Sequence, residues 1–180
     1  MMNKKEIKNK VSDLLSSDAS KTDVFNKLSG QGVKDSDLAY LIASYADPHR
    51  CGANKIYVRI LLVITYLQVC LGFLVGFSIG MQIGRTASWV IGALIAFFML
   101  WFAWGFHKNK VAFYNATILL TIAQFGNQVS GFAKAPIETL IAIAIGIGLC
   151  AYTWYVRQKI FPDFAFMNAK KVNGAYFFTD

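Results

Sequence analysis

Acidic residues are scarce in this chain, and they are almost missing from its second two thirds. It holds ten Asp and Glu in 180 residues; seven precede Ile56, and only Glu138 lies between Asp47 and Asp163. Ion-coupled pumps usually carry a carboxylate inside the membrane, so that class is disfavoured. The three prolines, Pro48, Pro136 and Pro162, lie outside every long apolar run, so the broken helices of coupled transporters have no signal here. Glu138 follows Pro136 at the start of a run, which is ordinary helix-start chemistry. The cysteines, Cys51, Cys70 and Cys150, are odd in number and form no Cys-x-x-Cys. That argues against a disulfide framework or zinc ribbon and for small apolar helix residues. His49 and Cys51 are too few ligands for a metal site. Ser/His/Asp and Cys/His sets, phosphate-binding glycine loops and paired intramembrane acids are all unrecognisable. The expectation is therefore a protein that is not an enzyme and takes no metal or cofactor.

What the chain does have is apolar residues. The hydrophobic share is 56% and the charged share 16%, with a mean hydropathy of +0.43, against roughly 45–50% and about 25% in soluble domains. Four apolar runs stand out, at 56–79, 87–106, 111–132 and 137–156. About 20 residues span the roughly 30 Å hydrocarbon layer, and the connections are short. The reading is an all-α integral membrane four-helix bundle, residues 56–157, with an up-down order. The first run begins too deep for an ordinary signal peptide and is expected to stay as an anchor.

Residues 1–55 read as a short cytosolic helical module. Ile7, Val11, Leu14 and Leu15 share one helical face. Ser20 can cap a second helix with Asp23 at its third position. A third helix carries Leu38, Leu41, Ile42 and Tyr45 and is stopped by Asp47-Pro48. A DNA-reading helix-turn-helix would need more basic residues than its second and third helices hold, so nucleic acid is not expected as a partner. Residues 158–180 form an aromatic cytosolic tail with a hairpin signal at Asn173-Gly174; it should lie on the membrane face or on the N-terminal module.

Flanking charge sets topology. Nine Lys/Arg, from Arg50 through the 107–110 connection to Lys171, fall on one side, against Arg85 and Lys134 on the other. By the positive-inside bias both termini are cytoplasmic. Tyr57, Trp89, Trp104, Tyr114 and Trp154 sit at run ends, as aromatic belts do. Arg59, His107, Lys108, Lys110, Arg157 and Lys159 form a candidate rim for lipid headgroups.

Two patterns inside the runs carry the candidate function. Gly72, Gly76, Gly80 and Gly84 recur every four residues, baring a stripe for close helix packing within the chain or between protomers. Thr65 and Gln68 continue that face. In the third run Thr117, Thr121, Gln124 and Gln128 line one face. Amides in hydrocarbon need partners. The reading favours hydrogen bonds that glue helices, Gln68 being one available partner, over a wet axial cavity in an oligomer.

Several segments carry a resemblance. Lys21-Thr22-Asp23-Val24-Phe25 leads to Gly30-Gln31-Gly32-Val33, and then to Ile42-Ala43-Ser44-Tyr45-Ala46-Asp47-Pro48. Near the other end come Trp154-Tyr155-Val156-Arg157-Gln158-Lys159 and Phe161-Pro162-Asp163-Phe164. These resemble a small four-span gammaproteobacterial inner-membrane protein family, that of the trimeric inner-membrane protein of Acinetobacter. The resemblance implies a homotrimer in the bacterial inner membrane with a role in cell-envelope maintenance, and it supplies no catalytic residues. The expected function is thus an oligomeric inner-membrane protein that supports envelope integrity through helix–helix assembly and contact with membrane lipids. Two alternatives stand beside it. One is a small channel or passive pathway lined by polar residues of the third run. The other is an adaptor whose first fifty residues recruit a cytosolic partner.

Overall fold

The computed structural model describes residues 3–17, 19–130 and 135–179, the side chains of 4 and 127–130 excepted. Among them the order is α1 (Lys4–Ser16), α2 (Lys21–Leu28), α3 (Asp35–Ala43), α4 (Pro48–Ala53), α5 (Lys55–Met81), α6 (Arg85–His107), α7 (Val111–Ser130), α8 (Pro136–Ile160), β1 (Lys171–Val172) and β2 (Ala175–Tyr176). The fold is all-α apart from this hairpin. α5, α6 and α8 are long and apolar enough to cross a membrane. The chain is a multi-pass membrane protein. α7 is 20 residues long, and its apolar part with described side chains runs Val111–Gly126; the last residues of the expected third run, 131–132, lie outside the described residues.

Two compact units divide the chain: 1–50 with 157–180, and 51–156. In the first, Ser20 caps α2 by accepting the Asp23 N–H at 3.0 Å. Ile7, Val11, Val24, Leu28, Leu38 and Ile42 are buried, as their helical spacing predicts. α3 ends at Ala43, and the proline expected to stop it instead opens α4, since proline suits a first helical position.

The tail belongs to this unit. Phe25 meets Tyr176 and Phe178 at 5.3 and 5.7 Å, and Tyr40 meets Phe164 edge-on at 5.3 Å. Burial pushes the Tyr40 phenol above its ordinary range, so it stays neutral at physiological pH. Asn173 and Gly174 take φ of 52° and 83°, which makes the two-residue turn of the β1–β2 hairpin.

Asp163 ties this unit together. It is fully buried and accepts from the Lys21 ammonium at 2.5 Å and from the Thr179 N–H at 2.7 Å, while its own carbonyl accepts from the Lys170 N–H. Arg157, also fully buried, donates to the Ala165 and Phe166 carbonyls. It therefore does not belong to an exposed headgroup rim. Its charged head is consumed by carbonyls that the turn after α8 leaves without helix partners.

In the second unit α5 and α6 form a tight hairpin. A Cβ at Gly72 would lie 2.8 Å from Met99 Sδ, one at Gly76 would lie 3.1 Å from Gly92 Cα, and one at Gly80 would overlap Ser88 Cα. The glycine stripe thus packs within the chain. Gly84 lies outside it: a Cβ there would meet nothing within 4 Å, and its φ of 155° serves the turn into α6. α7 meets α6 near their connection, where the Phe113 ring fills the space over Gly105 and Phe106 lies 4.9 Å from Tyr114. Tyr114 is fully buried, so it is core and not belt. α8 reaches α5 through Tyr152, which donates to the Tyr57 carbonyl at 3.1 Å, and through the Tyr57–Tyr155 edge contact.

Two outcomes follow from these contacts. Gly80→Ala forces backbone apart at the α5–α6 crossing and costs about 1–3 kcal/mol. Gly126→Ala, which meets open space, leaves stability equal or gains about 0.5–1 kcal/mol from helix propensity. Thermal melting in mild detergent separates the two. Lys21→Met leaves a buried carboxylate uncompensated, at about 3–5 kcal/mol. Hydrogen exchange at the Thr179 and Lys170 amides should accelerate accordingly, and unchanged protection there would refute the role given to the pair.

Candidate functional site

The polar residues of α5 and α7 converge on one cavity. It has a volume of about 160 Å³ and is lined by Leu61, Thr65 and Gln68 from α5, Thr117, Leu120, Thr121 and Gln124 from α7, Phe98, Met99, Phe102 and Phe106 from α6, and Leu149 from α8. Helix geometry explains the convergence. On α5, Leu61, Thr65 and Gln68 fall at four- and three-residue steps, and so do Thr117, Thr121 and Gln124 on α7; each set occupies one face. The sequence Thr-x-x-Gln occurs on both helices.

Local chemistry sorts these side chains into two kinds. Each threonine hydroxyl donates to the carbonyl four residues back: Thr65 to Leu61 at 2.8 Å, Thr117 to Phe113 at 2.9 Å, and Thr121 to Thr117 at 2.8 Å. That arrangement satisfies the donor inside apolar surroundings. Gln68 is half-buried and Gln124 is exposed in the single chain. Neither amide has a hydrogen-bond partner among the described residues, so Gln68 makes no bond to Thr117, Thr121 or Gln124 of the α7 stripe. The Gln128 side chain lies outside the described residues.

The remaining sequence candidates fall elsewhere. Gly72, Gly76 and Gly80 serve the α5–α6 hairpin and leave the cavity wall to Phe98, Met99 and Phe102. Arg59, His107, Lys108 and Lys110 are exposed at one end of the helices. The Lys110 ammonium sits 3.9 Å over the Trp104 ring, a cation–π contact suited to an interface between apolar and wet surroundings. Lys159, in the other unit, is exposed as well.

A second cavity, of about 480 Å³, lies in the first unit and includes Lys21, Asp47, His49, Arg50 and Thr179. Its cations are already engaged: Lys21 pairs with Asp163, and Arg50 lies 3.6 Å from Asp47. It has little net charge to offer a ligand.

Sequence reasoning missed the apolar half of the first cavity. The Phe98, Met99, Phe102 and Phe106 face reads as plain helix core, and its four- and three-residue spacing is the one signal that could have marked it. Comparison with protein-family models, curated proteins and solved structures finds no match to this chain.

Access to the cavity can be measured. In a chain whose three cysteines are serine, Gln68→Cys should react with a small neutral methanethiosulfonate added to proteoliposomes. A further Leu149→Trp should slow that reaction sharply by filling the cavity, while Leu149→Ala should not. Equal rates in all three backgrounds would show that Gln68 is reached from another direction.

Proposed function

We propose that this chain is a non-catalytic, oligomeric inner-membrane protein of four spans that supports cell-envelope integrity through helix assembly and lipid contact. The observation that carries the assembly is the outer surface of α8. Ala144, Gly148 and Ala151 are exposed at four- and three-residue steps, and a Cβ at Gly148 would meet nothing within 4 Å. Small residues at this spacing let a second helix approach closely, and α5 and α6 have already used their own small residues on each other. The resemblance to the trimeric gammaproteobacterial family makes three the expected copy number. The same resemblance is the source of the envelope role.

Four spans with both termini cytoplasmic also draw support from the first unit. It is built from both flanks of residues 51–156, so those flanks share one side of the membrane. An even number of crossings meets that requirement, and α7 then counts as a span. The Lys/Arg bias makes that side cytoplasmic, and the exposed Arg59, His107, Lys108 and Lys110 would face anionic headgroups there.

A second reading, a passive pathway for small polar solutes, is favoured by one observation. Unpartnered amides of two spanning helices, Gln68 and Gln124, line one cavity.

Native mass spectrometry from lipid nanodiscs tests the assembly. A trimer is expected for the unaltered chain. Gly148→Leu, whose side chain meets open space within the protomer, should lower the mass toward one chain without lowering helical content. A monomeric unaltered chain would refute the reading. Deleting the gene should raise cell permeability to hydrophobic dyes, and an unchanged envelope would remove the physiological part.

A further inference from the structure

We propose that the cavity among α5, α6, α7 and α8 is a binding site for a small uncharged polyol of about glycerol's size. The hydrogen-bond inventory of the lining leads to this class. The Thr65, Thr117 and Thr121 hydroxyls spend their protons on backbone carbonyls, so only their oxygen lone pairs are left for a guest. Gln68 and Gln124 each add a carbonyl oxygen and an NH2 group, with no partner among the described residues. The lining therefore offers five acceptor oxygens and two donor NH2 groups, and a guest that fits it must both donate and accept. Hydroxyl groups do this.

Other guests match less well. Among the described residues the lining contains no carboxylate, lysine, arginine or histidine, so a bound ion of either sign would sit without a counter-charge from them in low dielectric. A hydrocarbon guest would leave both amides unpaired. A lipid headgroup is excluded by depth. Gln68 lies about 20 Å along α5 from either end, deep within a roughly 30 Å layer. The volume of about 160 Å³ gives room for several groups of water size. Phe98, Met99 and Phe102 supply an apolar wall for the carbon backbone of the guest.

This inference deepens the pathway reading but can be separated from it, since a solute held without crossing keeps the site and removes the pathway. The full-length protein in lipid nanodiscs, with 15N in its glutamine side chains, is titrated with deuterated glycerol, sorbitol and KCl. Loss of one resonance each in Gln68→Met and Gln124→Met assigns the two amides. Glycerol should shift both resonances saturably, whereas sorbitol, which is too large, and KCl should not. Gln68→Met should weaken the response of Gln124. If that variant misfolds by melting and native mass, Leu149→Trp serves instead, because it fills the cavity and leaves both amides in place. No saturation with glycerol, an equal response to KCl, or an undiminished Gln124 response in the variant would overturn the proposal. Glycerol permeability of proteoliposomes, followed by light scattering, reports on the pathway alone.

Discussion

A threonine in a spanning helix can return its hydroxyl proton to its own backbone, but a glutamine amide needs a partner from elsewhere. That difference organises the helical unit. Thr65, Thr117 and Thr121 close their bonds four residues back and make no demand on neighbouring helices. Gln68 and Gln124, one helical turn further along, cannot do the same, and both face the space that α5, α6, α7 and α8 leave open. An unpaired polar group in hydrocarbon costs several kcal/mol.

The cavity exists because the four helices are held unequally. α5 and α6 approach so closely that a methyl group at Gly80 would strike the Ser88 backbone. α7 is locked to α6 near their connection, where Phe113 lies on Gly105 and Asn109 turns with a φ of 47°. α8 touches α7 at Gly146, which faces Phe125, and α5 through the tyrosines near its end. Tight contact on one side and bulky aromatic spacers on the other keep the backbones apart at the level of the two glutamines. Replacing the spacers with small residues would collapse the space, just as adding methyls to the glycines would pry the hairpin open.

Much of this was legible from spacing. The glycine repeat marked close packing, the Thr/Gln stripe marked one polar face of the third run though the reading favoured helix-gluing bonds over a cavity there, and Ser20 with Asp23 marked the start of α2. What stayed hidden depends on which side chains meet. The spacing of Gly72, Gly76 and Gly80 is the same whether the partner helix is in the chain or in another copy; only the matching Ser88 and Gly92 on α6 decide it. Gly84 continued the arithmetic but not the helix, because α5 ends at Met81. Arg157 had the position of a rim cation, yet its guanidinium turns inward to the carbonyls of Ala165 and Phe166, and no periodicity encodes a turn that folds back on its own helix. Interhelical bonds from the third-run stripe were expected, with Gln68 as one available partner, but helical facing fixes direction and leaves separation open.

The buried Lys21–Asp163 pair adds a constraint on how the molecule forms. Its partners are 142 residues apart in sequence, and every apolar helix lies between them. Closing so long a loop costs only slowly more entropy as length grows, but the closure has to wait until residues on both flanks of the helical unit are present. Asp163 then gains its ammonium and the Thr179 N–H together, while Phe25 receives Tyr176 and Phe178. A buried ion pair is weak evidence for stability, because desolvation offsets much of its attraction. The first unit therefore completes its core only when residues 157–180 meet the first fifty residues.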